Sequence, residues 1–149
     1  MGRPGILLTM SDDTISEDSV TVYEALGGTD FFLGLADRFY ERVRDDAVLL
    51  PLYPEPDDLP AASRRLGLFL AQYWGGPHTY SEERGHPMLR ARHNPYVVGA
   101  LERDHWLVCM LSAVNELVAD DGIRAQMTEY FVKAAEHLRN DQPLRLVKP

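Results

Sequence analysis

The sequence reads Leu89-Arg90-Ala91-Arg92-His93-Asn94-Pro95-Tyr96 at the point on which the fold depends. Pro95 disfavours helical dihedral angles at Asn94, so a helix that enters this stretch must end close to His93. An imidazole at a helix end can donate from Nδ1 to a carbonyl one turn back, near Leu89, and keep Nε2 free as a metal ligand. The octapeptide alone is more typical of a surface or capping histidine, because most lone histidines bind no metal. The choice between the two depends on the rest of the chain.

Length and charge restrict the class of protein. With 149 residues, 45% of them apolar, the chain is expected to form one domain. A domain of this size buries about two thirds of its unfolded surface, which is enough to enclose a cofactor. The 15 basic and 23 acidic residues give a net charge of −8 at pH 7, and no basic block interrupts the acidic excess. Nucleic acids and anionic membranes are therefore poor partners.

The single cysteine indicates the cellular compartment. Because Cys109 is the only cysteine, the chain can form no intrachain disulfide. Its apolar neighbours in residues 106–111 predict a buried thiol rather than a nucleophile. The apolar run near the N-terminus is too short for a signal peptide, and no apolar run approaches the ~18 residues of a membrane span. We therefore expect a soluble cytoplasmic protein.

Apolar residues recur with the period of a helix, and the sequence shows no strand pattern and no internal repeat. The segment 96–117 is apolar around much of its circumference, which predicts a central helix. Residues 1–20 are expected to form a disordered tail, followed by one domain over 21–140 and a second tail over 141–149. The sequence thus predicts an all-α fold with helices over residues 21–28, 30–44, 59–73, 88–93, 96–117 and 123–138.

Local signals between the helices add detail. Thr21 and Glu24 have the spacing of a capping box, and a pair of glycines ends that first helix. Three prolines within residues 51–56 place Tyr53 on a loop or short turn. The polar segment 78–87 is expected to be mostly loop, with at most a short turn of helix. The face of helix 59–73 that is expected to pack on the core consists of Ala62, Leu66, Phe69, Leu70 and Tyr73.

Two Glu-x-x-His motifs allow a different metal site. Glu102 and His105 have the spacing found in di-iron helical bundles, and Glu83 and His86 repeat it. The second copy contains Gly85 and precedes a proline, so it is a poor helical ligand pair. The other helices offer no inward carboxylate, so a di-iron carboxylate bundle is a remote alternative. The sequence contains no Gly-rich phosphate loop and no nucleophile elbow.

Aromatic residues with polar tips lie on or beside the apolar faces of the helices. Buried phenol and indole groups must find acceptors, so such residues often mark the place where a polar ligand binds. For any one of them, ordinary packing is the more common explanation. The residues concerned are Tyr40, Tyr53, Tyr73 and Trp106.

Six motifs follow one another along the chain. They are Thr21-Val22-Tyr23-Glu24-Ala25-Leu26-Gly27-Gly28, Arg38-Phe39-Tyr40, Leu52-Tyr53-Pro54-Glu55, Phe69-Leu70-Ala71-Gln72-Tyr73-Trp74-Gly75-Gly76-Pro77, Arg92-His93-Asn94-Pro95 and Glu102-Arg103-Asp104-His105-Trp106-Leu107. Together they resemble the group II truncated haemoglobins, and the similarity extends over about residues 22–137. So many ordered motifs are highly specific, and they favour a ligand role for His93.

The resemblance implies a truncated globin fold, in which two antiparallel helix pairs enclose a haem in a two-on-two sandwich. His93 matches the proximal iron ligand. Tyr40, Tyr53 and Trp106 match distal residues that hydrogen-bond a ligand on the iron. Ala62 stands where many globins have a distal His or Gln. Further expected contacts are Leu66 and Phe69 in the apolar distal wall, Leu89 beside the haem, and Arg65 and Arg92 near the propionates.

The resemblance also implies haem b and reversible binding of O2, CO, NO or peroxide opposite the histidine. One interpretation is a binding protein that stores, transports or senses O2. The alternative is a redox enzyme for NO detoxification or peroxidase-like oxidation, supplied by an unidentified reductase. The distal donors favour retention of O2 over rapid delivery. Few aliphatic patches are expected at the surface, which predicts a monomer or a modest homodimer.

Overall fold

Helices make up the regular structure of the described residues, 20–53, 58–85 and 98–139, in the computed structural model. They are α1 (Val22–Leu26), α2 (Thr29–Arg44), a short 3₁₀ helix (Leu50–Leu52), α3 (Leu59–Tyr73), α4 (Thr79–Arg84), α5 (Ala100–Leu117) and α6 (Asp121–His137). The all-α prediction is confirmed. None of these helices is long and apolar enough to cross a membrane.

Part of the predicted site lies outside the described residues. The segment 88–93 is not described, and neither are Leu89, Arg92 and His93 within it. Most of both predicted tails also lies outside. The domain limits at residues 21 and 140 stay a prediction.

Local interactions define the first helix. The Thr21 hydroxyl accepts the Glu24 N–H at 3.0 Å, and the Glu24 carboxylate accepts the Thr21 N–H at 3.4 Å, which completes the predicted capping box. Gly27 and Gly28 then take φ angles of 108° and 88°, a left-handed conformation that suits glycine. The chain therefore turns directly from α1 into α2.

Helices α2 and α3 approach each other closely at a glycine. A Cβ atom at Gly67 would lie 3.0 Å from Leu33 Cα and 3.1 Å from the carbonyl oxygen of Phe32. One turn earlier, the buried Ser63 hydroxyl donates to Asp37 at 2.6 Å. These contacts hold α2 and α3 together as one helix pair. Helices α5 and α6 form the second pair, and α2 also packs on α5.

Large apolar side chains fill the space between the helix pairs. Burying one such side chain completely contributes about 1.5–3 kcal/mol relative to leaving it in water. Cys109 is 4% exposed and belongs to this core, so the prediction of a buried thiol is confirmed. Core side chains with 0–1% exposure include Phe32, Leu35, Phe39, Val43, Met110, Val114, Met127 and Phe131.

The buried face of α3 matches the predicted one only in part, at Leu70, which is 1% exposed. Ala62, Leu66 and Phe69 are only half-buried, and Tyr73 is 52% exposed. Small residues on the adjacent face let α2 come close, so that face takes the core position instead. The residues of α3 that are buried are Leu59, Ser63, Gly67, Leu68, Leu70 and Ala71.

Helix α4 replaces much of the loop predicted for residues 78–87. The Gln72 side chain donates to Ser81 Oγ at 2.8 Å and accepts the Ser81 N–H at 3.0 Å. Tyr80 is 5% exposed and packs edge-on against Phe69, with ring centroids 5.5 Å apart. A six-residue helix is too short to be stable alone, so these tertiary contacts account for it.

Helix α5 begins later than predicted and has one exposed side. Gly99 is extended, and its N–H donates to Glu102 Oε1 at 2.8 Å. This cap starts the helix directly after Gly99 rather than at residue 96. On the outer side, Leu101 is 56% exposed and Val108 is 66% exposed. The opposite side of the helix, with Met110, Ala113 and Val114 fully buried, packs against both α2 and α6, so the helix is central although one side of it is exposed.

Candidate functional site

Two tyrosines from different elements meet beside the core. Tyr40 belongs to α2 and is 8% exposed, and Tyr53 follows the 3₁₀ helix. Their rings meet edge to face with centroids 5.5 Å apart. Each phenol also affects the pKa of the other, which shows that the two groups interact. The structure thus brings together two of the three residues expected to act as distal donors.

The surroundings keep both phenols protonated. Burial raises the pKa of Tyr40, although the interaction with Tyr53 and the positive charge of Arg65 lower it in part. Burial also raises the pKa of Tyr53 well above its ordinary value, with further contributions from Tyr40 and Cys109. Both hydroxyl groups are therefore neutral at pH 7 and available as hydrogen-bond donors.

Arg65 is the charged residue next to this pair. Its guanidinium lies 3.5 Å from the Asp58 carboxylate, and its side chain is 34% exposed. Its positive charge lowers the pKa of Tyr40 and so partly offsets the effect of burial. Arg65 thus lies at the edge of the site, and its contact with a propionate stays a prediction.

Trp106 of α5 is connected to the tyrosines by Phe39. The indole is tilted against Phe39, with ring centroids 5.3 Å apart, and contacts Phe131 at 5.9 Å. Phe39 in turn packs edge-on against Tyr40 at 4.9 Å. The sequence pattern assigned Phe39 only to the core, but its ring also fixes the relative position of the two polar aromatics.

The half-buried face of α3 forms an apolar wall. Ala62, Leu66 and Phe69 follow one another at helical spacing, and each packs on the core only in part. An apolar face of this kind beside two neutral phenols suits a flat, largely apolar group that carries a polar ligand. Haem has this chemistry, so the described residues fit it. Because Ala62 has no hydrogen-bonding side chain, donation to a ligand falls to the phenols and the indole.

Tyr73, which was also expected to mark a polar ligand, lies elsewhere. Its ring centroid is 4.2 Å from that of Tyr130 and 5.0 Å from that of Trp74. These three residues line a surface groove of about 720 Å³ between the end of α3 and helix α6. The structure therefore separates Tyr73 from the site formed by Tyr40 and Tyr53.

The described members of the two Glu-x-x-His motifs have other partners. Glu102 caps α5, and the His105 ring bonds to Asp46 at 2.9 Å. Glu83 forms an ion pair with Arg64 at 2.7 Å. Within residues 20–53, 58–85 and 98–139, no three His, Cys, Asp or Glu side chains are grouped so that they could hold a metal. The di-iron alternative has no structural support.

Comparison with known protein families identifies the chain. The model of the bacterial-like globin family matches residues 21–140. The chain is 41% identical over 118 residues to the group 2 truncated hemoglobin YjbI of Bacillus subtilis (strain 168). This similarity covers 79% of the chain and 87% of the relative.

Solved structures agree with this family. The thermostable hemoglobin of the actinobacterium Thermobifida fusca is 54% identical with a TM-score of 0.79, and the match covers 83% of this chain and 100% of that one. The truncated oxygen-avid haemoglobin of Bacillus subtilis is 40% identical with a TM-score of 0.74, covering 81% and 100%. The predicted truncated globin fold is confirmed. The chain belongs to the bacterial-like globins, as a group II truncated haemoglobin, and thus to a family that binds small ligands on haem.

Proposed function

We propose that this protein binds O2 reversibly on haem b and retains it through Tyr40, Tyr53 and Trp106. The observation that supports this function most strongly is the edge-to-face contact of two neutral phenols, buried Tyr40 and half-buried Tyr53. His93 would hold the haem, and the haem would supply the chemistry of reversible diatomic ligand binding. CO, NO and peroxide would bind at the same site.

The two phenols are proposed to act as one unit. Their ring centroids lie 5.5 Å apart, so a small rotation of either side chain would let one hydroxyl donate to the other. In the proposed arrangement Tyr53 donates to Tyr40, and the Tyr40 hydroxyl donates to the ligand as a strengthened donor. Trp106 supplies a third donor from a different helix. A ligand that carries negative charge is held best by such a set.

The apolar wall would complete the site. Leu66 and Phe69 keep water away from the donors, which strengthens each hydrogen bond to a charged ligand. Ala62 leaves room for the ligand beside the phenols. The remaining proposed haem contacts are Leu89, with Arg65 and Arg92 beside the propionates.

Removal of the proposed proximal ligand tests haem binding. His93→Ala should lower haem content and change the ferrous absorption spectrum, because the iron loses its protein ligand. Added imidazole should restore much of the spectrum. His86→Ala and the exposed His78→Ala are the matched controls, and both should bind haem normally. Normal haem content in His93→Ala together with loss in His86→Ala would show that the ligand is misassigned.

A redox enzyme is the second candidate, and the position of Arg65 favours it. A positive charge next to Tyr40 can stabilise developing negative charge on peroxide as well as on O2. The O2 dissociation rate and peroxide turnover of the purified protein should be measured together. Slow dissociation with negligible turnover supports O2 retention. Peroxide turnover that falls strongly in Arg65→Gln supports the enzyme.

The setting of the protein is proposed from its composition. One cysteine and a net charge of −8 suit the reducing cytoplasm. We propose a monomer or modest homodimer that receives electrons from a reductase of unknown identity. Light-scattering mass of the haem-bound protein would test the assembly state.

A further inference from the structure

Asp46 joins the segment that carries Tyr53 to its surroundings. It lies just after α2, and its Oδ1 accepts the N–H groups of Val48 and Leu49, each at 2.9 Å. Its backbone carbonyl accepts the N–H of Leu50, the first residue of the 3₁₀ helix, also at 2.9 Å. Three successive N–H groups of the turn that leads to Tyr53 therefore depend on one residue.

The same carboxylate is bound to helix α5. His105 Nδ1 lies 2.9 Å from Asp46 Oδ2 and 3.1 Å from Oδ1, and it donates to the carboxylate. The Cys109 thiol, one turn further along α5, lies 4.0 Å from Oδ2. His105 directly precedes Trp106 in the chain. Asp46 thus connects the turn before Tyr53 with the turn of α5 that carries Trp106.

The charges around Asp46 favour its ionised form. Burial raises its pKa, but the hydrogen bonds from His105, Leu49 and Val48, together with the charge of His105, outweigh this and lower it. Cys109 has its pKa raised by burial and by Asp46, so it stays a neutral thiol. The carboxylate is therefore a charged acceptor at neutral pH, and such acceptors form stronger hydrogen bonds than neutral ones.

We propose that Asp46 is a positioning residue that holds Tyr53 at a fixed distance from Trp106. This inference rests on the proposed role of both residues as donors to the ligand. A 3₁₀ helix of three residues has little stability of its own, so the N–H groups that Asp46 binds decide where Tyr53 lies. The bond to His105 then fixes this turn relative to α5. Asp46 acts through these contacts and does not touch the ligand itself.

Two substitutions separate the contacts of Asp46. Asp46→Ala removes both the turn and the helix contact, whereas His105→Leu removes only the contact with α5. Both variants should bind haem normally, and both should release O2 about tenfold faster, the loss expected from one poorly aligned hydrogen bond to a charged ligand. His105→Gln, which can still donate to Asp46, should restore most of the slow release. Asp45→Ala is the matched control on the adjacent exposed carboxylate and should release O2 like the unsubstituted protein.

Amide hydrogen exchange supplies a readout that does not depend on ligand release. In the CO-bound protein, exchange at Val48 and Leu49 should accelerate at least about tenfold in Asp46→Ala and remain nearly unchanged in His105→Leu. If exchange accelerates in Asp46→Ala but the O2 dissociation rate changes less than about twofold in both variants, then Asp46 only stabilises the turn. The proposal would then be wrong. Rapid O2 release from the unsubstituted protein would instead contradict the proposed function.

Discussion

A pair of tyrosines lies near each end of helix α3, and only one of the pairs has the surroundings of a ligand site. Tyr40 and Tyr53 meet edge to face and belong to the same core as the half-buried apolar residues of α3. Tyr73 and Tyr130 stack instead, with ring centroids 4.2 Å apart and planes 31° apart, and Tyr73 is 52% exposed. Ring stacking at the second pair serves packing, whereas the first pair presents hydroxyl groups.

Acidity does not distinguish the two pairs. Burial and the neighbouring Tyr73 raise the pKa of Tyr130 to about 12, and burial also raises the pKa of both Tyr40 and Tyr53. Each pair therefore contains at least one phenol whose pKa is raised above its ordinary value. The first pair is distinguished because it belongs to the same core as an apolar face of α3 that is only half-buried. The predictions below test this difference.

The largest expected effect is that of Trp106→Phe on O2 release. A hydrogen bond to a charged ligand is worth about 1.5–3 kcal/mol, and about 1.4 kcal/mol corresponds to a tenfold change in rate. Loss of the indole N–H should therefore raise the O2 dissociation rate by about ten- to a hundredfold, as measured by stopped-flow displacement with CO. No other described side chain replaces this donor at the same position.

CO provides the internal control for this prediction. Bound CO carries little negative charge, so its dissociation rate should change much less than that of O2. An O2 dissociation rate that moves less than about twofold in Trp106→Phe would leave the indole with a packing role only. Equal acceleration of O2 and CO release would indicate a change in access to the site rather than a lost hydrogen bond.

The next prediction concerns helix α3, which runs between the two tyrosine pairs. In Gly67→Ala, the added methyl group would meet the backbone of α2, so the variant should lose about 1–2 kcal/mol of unfolding free energy. Gly34→Ala in α2 is the matched control, because nothing lies within 4 Å of the added atom there. It should be stabilised by about 0.5–1 kcal/mol through higher helix propensity. Urea denaturation of both variants tests the contrast, and equal stability of the two would show that α3 does not need this close approach.

The contrast between these glycines also explains what the sequence could predict of the fold. Helix limits that depend on local chemistry, such as the capping box at Thr21 and the end of α3 at Tyr73, were predicted correctly. The buried face of α3 was predicted only in part, because Ser63 and Gly67 are not apolar side chains, and their burial depends on how closely α2 approaches. Hydrophobic periodicity detects apolar residues and does not report which helix lies opposite them.

The same limit applies to the site. The pairing of Tyr40 with Tyr53 followed from family resemblance, since no periodic pattern links a helix with a proline-rich turn. Asp46 was not among the predicted site residues, although an aspartate two or three residues before unpaired N–H groups is a recognisable turn signal. Its bond with His105 joins residues far apart in the chain and could be found only in the fold.

The tyrosine pairs themselves should respond differently to loss of their hydroxyl groups. Tyr40→Phe should raise the O2 dissociation rate about three- to tenfold, and Tyr53→Phe somewhat less, because Tyr53 acts through Tyr40. The double variant should exceed the sum of the singles in free energy, since in each single variant the remaining phenol can turn toward the ligand. Tyr73→Phe with Tyr130→Phe is the control and should change the rate less than about twofold. If the control variant changed the O2 dissociation rate as much as the Tyr40→Phe and Tyr53→Phe double variant, the two pairs would not differ in function.

The smallest expected effect is the dependence of the first pair on pH through Asp46. The folded protein lowers the pKa of this carboxyl below its ordinary value of 3.8, so its contribution to stability is present above that value. The contribution disappears as the pH falls below about 4 and through the lowered folded pKa. The difference in unfolding free energy between the unsubstituted protein and Asp46→Asn should therefore be about 1 kcal/mol or less at neutral pH and should vanish in acid. In a His105→Gln background the imidazole charge no longer lowers the pKa of Asp46, so the acid window should move to slightly higher pH. Over the same range, O2 release from the unsubstituted protein should rise toward the rate of Asp46→Asn, because protonation frees the turn that holds Tyr53. A stability difference that persists unchanged at low pH would show that the charge of Asp46 does not matter, and that the turn keeps Tyr53 in place without it.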